Sequence, residues 1–486
     1  MLIQDVLALL PELIIFVGAM ILLMLTVFVK HGVLRAVTIT TVAILLIALI
    51  AAIFGEPSKI PLLYNQIAND SFARLSKLIV LSISVLLAIS NHDFLKKDGV
   101  DAPEYSVLIL LSILGMMVMV SATSFLSLFM GLELQSLSLY VMTAIRRDDT
   151  KCSEAGVKYF LLGSLATGIM LYGMTFIYGT VGNIGFGEIK VFLKTVDSIP
   201  MTFYLGMGLV IAGTVFKISA VPFHMWAPDV YEGAPTTVVS FFASVPKIAA
   251  FCMMTRLLVE PMLGAYAHWR YMIAVLAVIT MIVGVFGALN QHNIKRLLAY
   301  SSIMNMGYAL LGLLSGDAYG IEASLIYIAV YAVSVLAFFI CLLLISRRGH
   351  QIQNITDLSG LFRLYPQVAA AMVFLLFSFA GVPPLSGFLG KLYVFKAVLH
   401  ADMMSVAMIG VCASVLAAAY YLYVIKVIVM DEPQQGSLQF VGGGEKTETG
   451  ALFVTGLIIG GLTWFFIKPE FFLKSILTAS QGLFLQ

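Results

Sequence analysis

Long apolar runs alternate with short polar breaks along almost the whole chain. The runs fall near residues 6–29, 33–54, 73–91, 105–123, 124–145, 157–180, 201–221, 236–258, 271–289, 295–315, 320–346, 366–401, 403–430 and 449–467. A membrane-spanning helix needs about 20 apolar residues, so this pattern predicts about fourteen spans. The run 366–401 is too long for one simple span, and Pro383 with Pro384 interrupts it. A second interruption sits at Pro222, five residues after Lys217. A polar, turn-rich segment follows (Pro228, Asp229, Glu232, Gly233, Pro235), and the next apolar run carries Lys247. Buried cations beside a broken helix are expensive in lipid, and a chain that keeps them is expected to use them.

Composition agrees with the pattern. Of 486 residues, 60% are hydrophobic and 11% charged, with a mean hydropathy of +1.01; a soluble domain is about a quarter charged. The expected fold class is an all-α polytopic membrane protein. A net charge of +2 argues against a nucleic-acid partner. The four cysteines and seven histidines are dispersed, without metal or iron–sulfur spacing. There is no Walker A motif, no glycine-rich dinucleotide fingerprint and no nucleophile elbow, so no cofactor or metal site is expected in this chain. The first apolar run lacks a basic leader and a cleavage site and reads as a retained helix. Lys and Arg number thirteen in the loops after odd spans and seven after even spans. The odd loops are therefore expected to be cytoplasmic and both termini periplasmic, in a bacterial inner membrane. Residues 185–195 and 468–485 look amphipathic and fit either the interface plane or an ordered loop and cap.

An internal repeat divides the chain. Spans four to eight (105–258) and nine to thirteen (271–430) read as two five-helix units, between an N-terminal three-helix segment (1–104) and a last span with an amphipathic tail (449–486). KYFLLGSLATGIMLYG (Lys158–Gly173) aligns with IYIAVYAVSVLAFFIC (Ile326–Cys341), placing Tyr159 opposite Tyr327. The same offset brings Lys217 close to Pro383 and Pro384. Apolar helices align easily by chance, but two proline-interrupted, lysine-bearing helices in register argue for a true repeat. Five is odd, so the second unit would be inverted in the membrane, an arrangement common in secondary transporters.

Candidate chemistry lies in ionisable residues inside the spans. Glu133 stands in the middle of the fifth, and Lys158, Lys217, Lys247 and Lys391 lie on the sixth, seventh, eighth and twelfth. Removal from water disfavours the charged form of either group and brings proton exchange within reach of neutral pH. Such residues suit a proton relay; Glu133 would otherwise neutralise one lysine as a static pair. The prolines free backbone groups that need protein or water around them. His224, beside Pro222, suits a relay or a satisfied buried histidine. Lys77, Lys396 and Lys426 read as snorkelling or loop-facing, and Glu12 as locally paired or interfacial. His292, Lys295 and Arg296 read as a cytoplasmic loop. Tyr300, Ser301, Ser302 and Tyr308 would line a water path or simply pack.

Several of these segments resemble the antiporter-like subunits of respiratory complex I. FKISAVPFHMWAPDVYEGAPTTVVSFFASVPK is similar to their seventh-to-eighth-helix region, NIKRLLAYSSIMNMGYALLG to their tenth helix, and SFAGVPPLSGFLGKLYVF to their broken twelfth helix. GLELQSLSLYVM and GVKYFLLGSLATG, with Lys391 where another branch has glutamate, are most similar to the N-type branch of bacterial NADH-quinone oxidoreductase. The resemblance covers nearly the whole chain. It implies that Glu133, Lys217, Lys247 and Lys391 carry proton translocation, with Glu133 paired to Lys217. Lys158 matches an additional channel lysine, and His224 a position that is histidine in related subunits. It also implies partners: an M-type antiporter-like subunit, small subunits towards the quinone site, and the lipid bilayer. NAD, FMN, iron–sulfur clusters and quinone would then belong to other chains of the complex. Two other readings stay open from the residues alone: a cation/proton antiporter subunit without redox function, and a free-standing substrate transporter. The latter lacks a convergent set of polar side chains for a ligand.

Overall fold

The computed structural model describes residues 6–28, 33–57, 61–91, 94–95, 98–100, 102–347, 350–433, 438–440 and 448–484. The N-terminal helices are α1 (Leu10–Phe28), α2 (Val33–Phe54) and α3 (Ser71–Asn91). Next come α4 (Glu104–Val120), α5 (Phe125–Thr143), α6 (Thr150–Val181) and the short α7 (Phe186–Thr195). The first interrupted region comprises α8 (Met201–Lys217), α9 (Trp226–Gly233), α10 (Thr236–Phe242) and α11 (Val245–Val259). Then follow α12 (Tyr266–Leu289), α13 (Ile294–Gly312) and α14 (Ala318–Leu344). The second break separates α15 (Pro366–Ala380) from α16 (Ser386–His400), before α17 (Met404–Val429), α18 (Glu448–Ile467) and α19 (Glu470–Gly482). Three strands of two or three residues (Ile345–Arg347, His350–Gln351, Leu438–Phe440) form a small antiparallel sheet between loops.

Among the described residues, eleven segments are long and apolar enough to cross a membrane. Three shorter apolar helices, α4, α8 and α15, bring the total to the fourteen that the pattern predicts. The core lies at α10–α11, whose spanning window is 100% buried, whereas the windows of α1 and α2 at the rim are 33% buried. Helix starts are set by side-chain caps: Ser124 for α5, Asp149 for α6, Asn293 for α13 and Asp317 for α14. α5 and α13 begin at 125 and 294, 169 residues apart; α6 and α14 begin at 150 and 318, 168 apart.

Polar bolts hold the N-terminal helices to this core. Arg256 on α11 is 1% exposed. It donates to both oxygens of Asp70 (2.8 and 2.7 Å), to Glu260 (2.9 Å) and to the Val120 carbonyl (2.9 Å) that ends α4. Asp70 also caps α3 by accepting from Ala73 N at 2.6 Å. At the other end, Asp98 accepts from the Thr237 amide and hydroxyl, both at 2.7 Å, at the start of α10.

The structure departs from the sequence reading in four places. The polar stretch after Pro222 is the eight-residue helix α9 and not an open turn; Pro228 is tolerated there because it falls in the first turn, where amides have no intrahelical partner. The run 236–258 is divided at Ala243–Ser244, with Pro246 opening α11 one residue before Lys247. Lys77 does not snorkel: it is buried and pairs with Glu12 across α1 and α3 at 2.6 Å. Lys295 is not in a loop: it opens α13, is buried, and donates to the Ala234 carbonyl that ends α9 (2.9 Å). The amphipathic segments are helical, and α19 packs against α14 and α3. Lys30, Lys59, Lys96, Lys97, Arg348 and Lys446, which enter the loop-charge count, lie outside the described residues.

Candidate functional site

Lys217 is the last residue of α8, so its backbone carbonyl lies where the helix stops supplying donors. The chain then turns through Ser219, with φ of 60°, and a cis Val221–Pro222 bond before α9 starts. Side chains satisfy the broken ends. Trp226 Nε1 donates to the Phe216 carbonyl (3.2 Å), and Thr280 on α12 accepts from Val221 N (3.0 Å). The Lys217 ammonium turns inward to α5, donating to Ser136 Oγ (2.8 Å) and Tyr140 OH (3.4 Å). Gly163 on α6 makes room for that tyrosine, since a Cβ there would stand 2.0 Å from the hydroxyl.

Glu133 shares this face of α5, three and seven residues before Ser136 and Tyr140. It acts on Lys217 through space without touching it. Its Oε1 is buried and has no hydrogen-bond partner among the described residues. The expected direct Glu133–Lys217 pair is replaced by an ammonium held on Ser136, one turn from the carboxylate.

Lys247 is 1% exposed at the centre of the fold. It donates to Ser302 on α13 and stands 5.5 Å from the centre of the Tyr231 ring. Between the two lysines, the Tyr159 ring packs edge-on against Tyr140 (4.8 Å) and stacks on Trp226 at 4.4 Å. Ser301, next to Ser302, shares a hydrogen bond with Tyr421 (2.6 Å). Asn305, one turn on, donates to the Ser301 carbonyl (2.7 Å) and accepts from Tyr327 OH (2.5 Å). Tyr327 and Asn305 line a small cavity with Lys391, Tyr331, Ser334 and Ser378.

Lys391 is 5% exposed. It donates to Ser414 Oγ on α17 (2.8 Å) and to the carbonyl of Ala380 (3.0 Å), the last residue of α15. Ser378 on α15 accepts from Gly387 N (3.1 Å) in the first turn of α16. Each half of the broken helix thus completes the end of the other. Gly381, with φ of 82°, gives the left-handed turn and the space, since a Cβ would come within 2.9 Å of the Lys391 side chain. Lys217 precedes its break and Lys391 follows its own, so the two lysines stand on opposite sides of their breaks.

The remaining candidates lie apart from this row. The Lys158 side chain is 42% exposed and is held by Glu154 (2.7 Å) and Asp229 (2.9 Å). Asp229 also binds Arg296 (2.7 Å), which binds Glu232 (3.0 Å). Lys158 therefore belongs to an exposed charge network joining α6, α9 and α13, not to the buried row. His224 sits in the first break with Nδ1 buried and unpaired among the described residues. Pro222, Pro383 and Pro384 are exposed on the flanks of their breaks. Lys396 is exposed, and Lys426 is half-exposed and paired with Asp431 (2.6 Å), as snorkelling residues should be. Neither the burial of Lys295 nor the Ser136 contact of Lys217 was read from sequence. The seven-residue spacing of Lys295 and Ser302 on one helical face was the available signal.

Fold and site together define a polytopic helical membrane protein with lysines at interrupted helices, Lys247 and Lys391 buried and Lys217 half-buried. The chain belongs to the NADH:quinone oxidoreductase/Mrp antiporter transmembrane family, whose model matches residues 122–417. It is 43% identical to NADH-quinone oxidoreductase subunit N of Parvibaculum lavamentivorans, over 97% of this chain and 96% of the relative. Among solved structures it is similar to a chain of respiratory complex I from Thermus thermophilus with bound aureothin. That likeness has a TM-score of 0.80 at 28% identity and covers 96% of this chain and 99% of the other. A chain of the Mrp complex from Dietzia sp. DQ12-45-1b has the same TM-score of 0.80 at 20% identity, covering 100% and 98%, which is a likeness of fold.

Proposed function

We propose that this chain is a proton-translocating membrane subunit of a bacterial NADH-quinone oxidoreductase. Quinone reduction elsewhere in the complex drives proton transfer through its buried row. The observation that carries this reading is the set of protonatable groups inside the helical bundle: Glu133, and Lys217, Lys247 and Lys391, each held on a serine hydroxyl (Ser136, Ser302 and Ser414). Lysine holds a proton as a charge; serine and tyrosine pass one without a lasting charge. A change in charge at one lysine alters the affinity of the next for its proton, which lets an event at one end propagate along the row. NAD, FMN, iron–sulfur clusters and quinone act in other subunits on this reading.

The helix starts at 125 and 150, repeated at 294 and 318, support two five-helix units with 105–258 and 271–430 as their extents, the second inverted. By this register Glu133 corresponds to Ser302, so the second unit has a serine where the first has its acid. Loop charge supports periplasmic termini. The neighbours are other membrane subunits of the complex: an M-type antiporter-like chain and the small subunits towards the quinone site. Lys158 and His224 serve as peripheral proton-exchange groups. The antiporter reading has the weaker support, since the Mrp likeness is of fold at 20% identity while the subunit N relative is 43% identical. Membranes lacking this chain decide between them. Loss of NADH-driven proton pumping is expected; retained NADH-to-quinone activity and pumping with lost sodium resistance would overturn the proposal.

A further inference from the structure

The first break is fastened by a helix that lies beyond the first unit proposed above. The amides of Ile218, Ser219 and Ala220 bond back to carbonyls of α8, at 3.4, 3.0 and 3.0 Å. The next amide, that of Val221, instead donates to Thr280 Oγ1 on α12 at 3.0 Å. Val221 is 6% exposed and Thr280 is 0% exposed, so this bond is sealed from solvent. The second break has no such donor to satisfy. Pro383 precedes Pro384 where Val221 precedes Pro222, and proline has no N–H.

α12 runs beside α8 in the same direction. Tyr204 packs against His268, with ring centres 4.3 Å apart, and one turn further along both helices Gly208 faces Met272. α8 ends at Lys217, and α12 continues past that end to reach Val221. α12 is in turn pressed against α13. Gly284 leaves no room there, since a Cβ would stand 2.6 Å from Met304 N. α13 carries Ser302, which holds Lys247. Thr280 therefore sets the turn after Lys217 against the helix pair to which Ser302 belongs. From the end of α8 the Lys217 ammonium reaches Ser136 Oγ at 2.8 Å, and a displaced turn would carry it off that hydroxyl.

We propose that Thr280 is a positioning residue for Lys217. By accepting from the Val221 amide it fixes the end of α8, so that the Lys217 side chain meets Ser136. Thr280 acts through the backbone of the break and carries no proton. This inference rests on the pumping role proposed above. The acceptor oxygen is the part that matters. Serine supplies the same oxygen, whereas valine has nearly the shape of threonine and none.

The test uses the complete complex in proteoliposomes, with assembly checked by subunit content. Thr280→Val should assemble and move severalfold fewer protons per NADH, while Thr280→Ser should stay close to wild type. The double variant Thr280→Val/Ser136→Ala should be little worse than the worse single, because both changes misplace one ammonium. A wild-type ratio in Thr280→Val overturns the inference. So do equal losses in the valine and serine variants, or strictly additive losses in the double variant. If Thr280→Val does not assemble, Thr280→Cys takes its place. A thiol is a weak acceptor, so its ratio should lie well below that of Thr280→Ser, and equal ratios overturn the inference. Lys217→Ala is measured alongside. If it abolishes pumping while Thr280→Val pumps normally, the positioning role fails and the pumping role stands. If Lys217→Ala pumps normally, both fail.

Discussion

Lys391 donates to the main-chain oxygen of Ala380 at 3.0 Å, across the break that separates them. The residue expected to carry a proton therefore also completes the end of the helix before it. Charge and architecture are coupled at this point: an ammonium satisfies the carbonyl end of α15 better than a neutral amine does.

Substitutions at Lys391 should separate the two roles. Lys391→Arg keeps a cation for the helix end but cannot release a proton near neutral pH. It should assemble at wild-type levels and pump poorly. Lys391→Met removes both functions and leaves the Ala380 carbonyl without its partner, a loss of about 1–3 kcal/mol. Subunit content in purified membranes and NADH-driven proton uptake by vesicles measure the two effects. Equal pumping by the arginine variant and the wild type would contradict the assigned role.

The contact of Lys217 with Ser136 predicts a divided phenotype on α5. Ser136→Ala removes the nearer acceptor at 2.8 Å and should free the ammonium to swing towards Glu133, trapping it there as a static pair. Glu133→Gln removes the attraction instead. Both should lower pumping, with Glu133→Asp closer to wild type than Glu133→Gln. The double variant Ser136→Ala/Glu133→Gln should pump better than Ser136→Ala alone if the trapped pair is the cause. Proton-to-NADH ratios across this cycle give the answer; strict additivity would remove the trapping explanation.

Arg256 tests what holds the N-terminal helices. Its guanidinium is buried with Asp70 and Glu260, so Arg256→Met leaves two carboxylates facing each other in a dry site. Removing one partner of a buried ion pair costs about 3–5 kcal/mol. The variant should assemble poorly. Restoring neutrality with Asp70→Asn and Glu260→Gln should recover much of the assembled complex, measured as subunit content on native gels. Failure of the triple variant to improve on the single would show that hydrogen-bond geometry, not charge, is what matters here.

How much of this was legible in the chain differs by feature. The fourteen spans follow from apolar runs, because lipid leaves a helix few alternatives. The second break was visible because Pro383 and Pro384 interrupt an overlong run. The division before Lys247 was missed although Pro246 marks it, since a proline near the start of a helix is also an ordinary residue. Partner choice was the harder problem. Glu12 and Lys77 lie 65 residues apart in sequence, and whether they face each other depends on how α1 and α3 rotate in the bundle. The rotation of α8 against α5 likewise sets Lys217 on Ser136 and not on Glu133. Lys295 looked like a loop residue because it stands next to Arg296. Adjacent helical positions point about 100° apart, so one faces the core and the other the rim.

The rim network supplies the contrasting case. Lys158, Glu154, Asp229, Arg296 and Glu232 are all partly exposed, and exposed ion pairs contribute about 0–1 kcal/mol each. Asp229→Asn should therefore change assembly little, while loosening α9 from both α6 and α13. Lys158→Ala should impair pumping less than Lys217→Ala, because the exposed Lys158 charge is screened by solvent and paired to two carboxylates, while Lys217 is held inside on Ser136. Raising the ionic strength should narrow the difference between wild type and Lys158→Ala, since salt screens exposed charges more than buried ones. It should leave the Lys217→Ala defect as it was. Initial pumping rates at low and high salt measure this directly. A Lys158→Ala defect as deep as that of Lys217→Ala, and insensitive to salt, would place Lys158 in the buried row after all.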